Sequence, residues 1–207
     1  MNTTKEWAES LKVESAEDVA PVAGFSKLYA RSASKVAIRA IVLQGIVAIA
    51  YNVEAEPIVK WFKEQGIWGK VTDRERKFIL NGSPTEAEQI QFRWKQEAEW
   101  TLLWMIGKVE SLGLPTRCCD TRRLVDEVIP ALGSDVSDFV DGASLRVPGA
   151  LLAEDDRTYN LWCYALAAQR RGQALPTDLN LSILQERRYA FEWMDGMQEW
   201  DDVTCDA

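Results

Sequence analysis

Three arginines fall where helical spacing, about 100° per residue, turns a side chain toward apolar neighbours. Arg39 lies among Val36, Val42, Leu43 and Ile46. Arg93 heads a stripe with Glu97, Trp100, Trp104 and Gly107. Arg187 sits within an arc of Ile183, Leu184, Ala190, Phe191, Trp193 and Met194, with Glu186 toward its edge, while Gln185, Arg188, Glu192 and Asp195 form the opposite, polar side. On another helical stretch Asp156, Tyr159, Cys163, Leu166 and Arg170 share one side. A guanidinium so placed either grips the carboxylate or phosphate of a ligand or answers an acid of its own chain. An unpaired charge in a dry interior costs several kcal/mol, so these groups are expected to meet one another. The expectation is an internal network of Arg39, Arg93, Arg187, Glu97, Asp156, Glu186 and the C-terminal Asp201 or Asp202. Such a network either fixes helix register or floors a pocket for an anionic ligand. Glu97 and Glu186 are a formal acid and base pair, but nearby arginines favour the ionised form of both, which argues against an acid role.

The rest of the composition removes whole classes of chemistry. Among 207 residues there is no His, which excludes Ser/His/Asp and Cys/His nucleophile systems and His-ligated zinc. Neither GxxxxGK[ST] nor GxGxxG occurs, so the usual phosphate loops are absent. Twenty-four basic against 32 acidic residues give a net charge of −8 and a pI near 4.8, the wrong sign for a surface that tracks nucleic-acid phosphates. The four cysteines show no CxxC spacing and read as reduced thiols in a cytoplasmic protein. Cys118 and Cys119 precede a helix start that lowers a thiol pKa, yet they have no imidazole partner. The tail Trp200-Asp201-Asp202-Val-Thr-Cys-Asp206 offers oxygen ligands but lacks a calcium-loop pattern, so no metal and no cofactor are expected. Nine tryptophans at mostly helical spacing read as core, with Trp7 and Trp68 the better exposed candidates.

These side chains need helices to carry them. At 47% apolar and 27% charged, the chain can bury a sizeable core. No alternating run with hairpin chemistry occurs, so the fold class is all-α: a single compact multi-helix domain over 26–207 behind a short polar N-terminal arm, 1–25. A long helix over 26–52 becomes apolar on every side and is expected to run through the core. Its most apolar stretch, 40–51, carries Gln44 and falls short of the roughly 20 residues a membrane span needs. Further helices are expected over 54–65, 72–80 from the capping box Thr72-x-x-Glu75, and 83–111 from Ser83-Pro84-Thr85-Glu86. Three more fit 121–132, 155–171 and 180–197.

The ordered segments Lys35-Val-Ala-Ile-Arg39-Ala, Arg93-Trp94-Lys-Gln-Glu97-Ala, Leu103-Trp104-Met-Ile-Gly107, Leu145-Arg146, Glu186-Arg187-Arg-Tyr-Ala-Phe-Glu-Trp193 and Trp200-Asp201-Asp202-Val-Thr204-Cys-Asp206 resemble the DUF4272 family. The chain departs from that pattern at Tyr159-Asn160, where a Tyr-Arg pair is expected, and at Asp206-Ala207. The resemblance implies a bacterial-type helical domain without an established activity. It adds Arg146, Trp193 and Trp200 to the candidate positions and again selects Trp104, Asp156, Glu186 and Arg187. The expected function is a non-catalytic binding or protein-interaction module, with a protein partner or a second copy as occupant. The alternative is an enzyme or sensor with an arginine-lined pocket for a small anionic metabolite. Neither nucleic acid nor membrane is an expected partner.

Overall fold

The computed structural model describes residues 31–175 and 179–205. The expected arm, Trp7, residues 26–30 of the expected first helix and Asp206 lie outside that range; residues 31 and 32 are not helical, and Ser32 caps the helix that starts at Ala33. The described residues form eight α-helices and no strand: α1 (Ala33–Ala50), α2 (Ala55–Glu64), α3 (Asp73–Leu80), α4 (Glu86–Met105), α5 (Thr121–Arg123), α6 (Ser137–Asp141), α7 (Pro148–Arg170) and α8 (Leu181–Met194). Short 3-10 turns occupy Trp68–Lys70 and Trp200–Asp202, and α5 continues into a wider turn over Leu124–Val128.

α1 is the central rod. Val36, Ala37, Ala40, Ile41, Val42, Leu43 and Ile46 are fully buried, and Gln44 is buried with them. Eighteen residues with mean hydropathy 1.7 make α1 long and apolar enough to cross a bilayer by length and composition, a longer apolar run than the 40–51 stretch suggests. Yet 72% of it is buried inside the domain, as in a core helix. It packs antiparallel to α4: the Arg93 Nε donates to Ala50 O at 2.8 Å, and the Gln89 amide reaches Asn52 at 3.2 Å. α8 covers α4 from the other side, and α7 in turn covers α8. Leu161, Trp162, Ala165, Leu179 and Leu184 form a smaller apolar cluster between α7 and α8.

The start of α3 follows its capping box: the Thr72 side chain accepts from Glu75 N, and Glu75 accepts from Thr72 N at 2.9 Å. α4 begins two residues later than Ser83-Pro84 suggests. Thr85-x-x-Glu88 forms the box instead, with Glu88 accepting from Thr85 N at 2.8 Å, and Pro84 stays outside the helix. α4 also stops at Met105, short of 111. Gly107 adopts a φ of 74°, its N–H bonds Trp104 O, and Lys108 N–H bonds Leu103 O, the paired closure that terminates a helix. α7 starts at Pro148, seven residues before the expected 155, because proline suits a first helical turn.

One glycine is fixed by close approach. A Cβ on Gly45 would lie 2.4 Å from Phe62 Cζ and 2.9 Å from Ile58 Cγ2, so α1 and α2 meet only where the side chain is absent. Gly45→Ala is expected to lower stability by about 1–3 kcal/mol through overpacking, read from a urea melt. An unchanged midpoint would show that Phe62 yields freely.

Candidate functional site

The buried charges occupy several separate places, and Arg39, Arg93 and Arg187 share no partner. Arg39, 5% exposed, bonds Glu75 Oε1 at 2.5 Å and Lys70 O at 3.4 Å, with its guanidinium 4.8 Å from the Trp200 ring centroid. Glu75 thereby caps α3 with one oxygen and pairs Arg39 with the other. Arg93 is half-buried beside the end of α1, 5.0 Å over the Tyr51 ring. Arg187, 2% exposed, donates to Leu112 O at 2.7 Å and Gly113 O at 2.8 Å, with its Nε 4.0 Å from Glu97 Oε2. The other Glu97 oxygen accepts from Cys119 N at 2.5 Å.

Arg188 corrects the helical-wheel reading, which put it on the polar side. It is 3% exposed, bonds Asp155 at 2.7 Å and pairs with Glu192, and its guanidinium lies 4.9 Å over the Tyr159 ring. The acid that α7 supplies to a buried arginine is therefore Asp155, fully buried, and Asp156 is only half-buried. Asn160, at the point of departure from the family pattern, bonds Asp156 O at 2.7 Å. Arg146 crosses the end of α4, donating to Trp104 O at 2.7 Å and Val109 O at 2.6 Å above the Trp104 ring. A cation there suits the negative end of the helix dipole. Glu186, half-buried, pairs with Lys95 at 2.9 Å.

Burial decides the proton affinities. Glu97 is fully buried and its carboxyl is pushed up, opposed by the Cys119 amide and Arg187; desolvation outweighs the arginine that sequence spacing expected to hold it ionised. Glu99 is pushed well above the carboxylate range by burial alone, and neither of its oxygens has a hydrogen-bond partner. Desolvation first, then Glu97 and Glu99, push the Cys119 thiol up, so the thiolate that a nucleophile needs is disfavoured. All four cysteines are free thiols.

The accessible part of this charge system is a cleft of about 600 Å³ where the start of α1, the 69–73 turn and the 193–202 return converge. Its floor is a set of cations on aromatic rings. Arg31 lies 4.9 Å over Trp193, Arg39 covers Trp200, and those two rings meet edge-on at 5.4 Å. Lys95 extends the set from behind, 3.6 Å over Tyr189, whose hydroxyl bonds Trp200 O. Arg31 is further tied to Trp193 O at 3.2 Å, Gln198 O at 2.5 Å and Glu199 at 3.3 Å. Asp201 is exposed and accepts from Arg74 N at 3.1 Å at the start of α3; Asp202 is exposed on the rim. Spacing could not place Arg31, Lys95 or Glu75: the first two lack an apolar-face signature, and Glu75 already had a role as a cap. No group of three or more cysteine or acidic residues among the described residues could hold a metal ion.

A family model described as a domain of unknown function, DUF4272, matches residues 1–203. The chain belongs to the DUF4272 family. No curated protein and no solved structure matches it. In this DUF4272 chain the family-pattern residues Arg39, Trp193 and Trp200 line the cleft, with Asp201 and Asp202 at its edge. Arg187 and Trp104 are instead buried near the end of α4, with Arg146 half-buried across it.

Proposed function

We propose that this DUF4272 domain is a non-catalytic binding module of the cytoplasm whose recognition surface is the cleft at the start of α1. The observation that carries this reading is a division of labour among the charges. Groups with raised proton affinity, Glu97, Glu99 and Cys119, do not line the cleft, whereas its floor is held rigid by Arg31 and Arg39. A pre-formed concavity of several hundred Å³ with fixed polar groups suits recognition of a small molecule or of a projecting group on a partner.

Gly69 provides a clean test. It lines the cleft, and a Cβ there meets nothing within 4 Å. Gly69→Trp is expected to fill the cleft while changing stability by no more than about 0.5 kcal/mol, as a surface substitution does. Melting temperatures of both proteins would be measured in whole extract of the host and in fractions of it. Fractions that stabilise the parent are expected to leave Gly69→Trp unmoved, because only binding to the folded state raises the melting point. Equal stabilisation of both proteins, no stabilisation by extract, or chemical conversion of a bound molecule by the parent would each overturn the reading.

A further inference from the structure

Four acids are buried among the described residues, and three of them are answered. Glu75 meets Arg39, Glu97 meets the Cys119 amide and Arg187, and Asp155 meets Arg188. Glu99 is fully buried on α4, and both its carboxyl oxygens lack a hydrogen-bond partner. Its charged form therefore needs a cation that the resting structure keeps elsewhere. On a helix the side chains three and four residues away are the neighbours. For Glu99 these are Lys95, Gln96, Leu102 and Leu103, so Lys95 is the cation within reach along α4. No cation of another element acts on Glu99; beyond α4, Cys119 is the titratable group that responds to its charge.

Lys95 is engaged on the wall of the cleft. Its ammonium donates to both Glu186 oxygens at 2.9 and 3.3 Å, lies 3.6 Å over the Tyr189 ring and stands 5.8 Å from that of Trp200. The Tyr189 hydroxyl bonds Trp200 O, and Trp200 lines the cleft. The other charges acting on Tyr189 are Glu186, Asp201, Arg74 and Glu75. The Lys95 and Glu186 side chains keep 11% and 12% of their exposure, so water weakens their attraction. A carboxylate stranded in a dry interior costs more than a part-exposed ion pair returns. An ionised Glu99 consequently draws Lys95 away from Glu186.

We infer that Lys95 is a two-position latch: it holds the Tyr189–Trp200 wall of the cleft while Glu99 carries its proton, and turns inward to Glu99 when that proton leaves. The proton passes to solvent, and the O–H bond of Glu99 is the one covalent bond broken. Glu186 loses its counter-charge in the same step, and the Tyr189 ring loses the cation above it. Burial raises the Glu99 carboxyl well above the ordinary range, so the resting position holds where exposed carboxyls are already ionised and release belongs to higher pH. The latch is a property of the wall and does not depend on what the cleft binds.

The test is carboxyl and aromatic NMR of the whole chain between about pH 5 and pH 9, a range that spans ordinary and raised carboxyl values. In the parent, the Glu99 carboxyl signal is expected to titrate, with the Glu186 carboxyl, the Tyr189 ring and the Trp200 indole shifting at the same midpoint. Glu99→Gln is expected to lose this common step. In Lys95→Met the Glu99 carboxyl is expected to hold its proton roughly tenfold more tightly, because a nearby cation no longer favours the charged form, and the aromatic signals no longer follow it. Lys95→Arg keeps a cation and is expected to keep the common step, so the inference stays open to test if Lys95→Met fails to fold. Three results would each overturn the inference: a Glu99 carboxyl that stays protonated throughout, an aromatic step that persists in Glu99→Gln, or aromatic signals of the parent that ignore the Glu99 titration.

Discussion

Arg187→Met lowers the stability of the domain by about 3–5 kcal/mol, the cost of stranding a buried partner. Two carbonyls lose their donor, Leu112 O and Gly113 O, bonded at 2.7 and 2.8 Å, and the Glu97 carboxyl loses the counter-charge 4.0 Å away. Glu97 then keeps only the Cys119 amide. Burial already pushes the Glu97 carboxyl up, and Arg187 is one of the influences holding it down, so its removal raises the carboxyl further. A folded-state carboxyl pKa above its unfolded value contributes stability that is present below the unfolded pKa and lost as pH rises through the folded one. The defect is therefore larger at pH 8 than at pH 4.5, where a protonated Glu97 needs no cation. Urea melts at the two pH values measure this. A loss under about 1 kcal/mol at pH 8 would place Arg187 outside the structural framework, since ordinary surface changes fall in that range. Arg187 does not line the cleft, so ligand affinity of the folded variant stays at the parent level.

Arg187 also shows how far periodicity reaches. Helical spacing identifies Arg39, Glu97 and Arg187 as inward-facing because each lies on a helix whose apolar arc is continuous, and all three are buried. It misplaces Arg188 because α8 is covered by α4 on one side and α7 on the other. A helix with two buried faces has no single polar side, and the arc containing Arg188 becomes the α7 interface, where Asp155 answers it. The same arithmetic cannot place residues outside helices. Lys70 and Glu199, which with Arg31 and Arg39 build the cleft, lie in turns whose course depends on tertiary packing, and Arg31, inside the expected 26–52 helix, precedes the Ser32 cap where α1 begins. Glu75 was legible as a cap and not as the partner of Arg39, because a spacing rule assigns one role to a carboxylate whose two oxygens serve separate donors. The α3 capping box and the all-helical class, by contrast, depend on local rules and are read directly from the sequence.

Glu99→Met is expected to raise stability by about 2–4 kcal/mol at pH 8, because an acid without partners leaves the core. Glu99 lies on α4, fully buried, and both its oxygens lack a donor or acceptor. Burial alone raises its carboxyl, with no cation or amide opposing, in contrast to Glu97 two residues earlier. In the unfolded chain the same group ionises near the ordinary carboxylate value, so above about pH 4.3 folding takes up a proton at this position. The contribution of Glu99 to stability consequently falls as pH rises until the folded pKa is reached. Methionine removes both the charge and the polarity, so the gain grows from pH 5 to pH 8 and falls below pH 4 to the cost of a neutral, unsatisfied carboxyl. Glu99→Gln separates the two effects. It abolishes the pH dependence while keeping an unsatisfied amide in the core, and its gain at pH 8 falls below that of methionine. Equal stabilities of parent and Glu99→Met across pH 5–8 would mean that the carboxyl finds a partner after all, and that the interior of α4 is less dry than its burial implies.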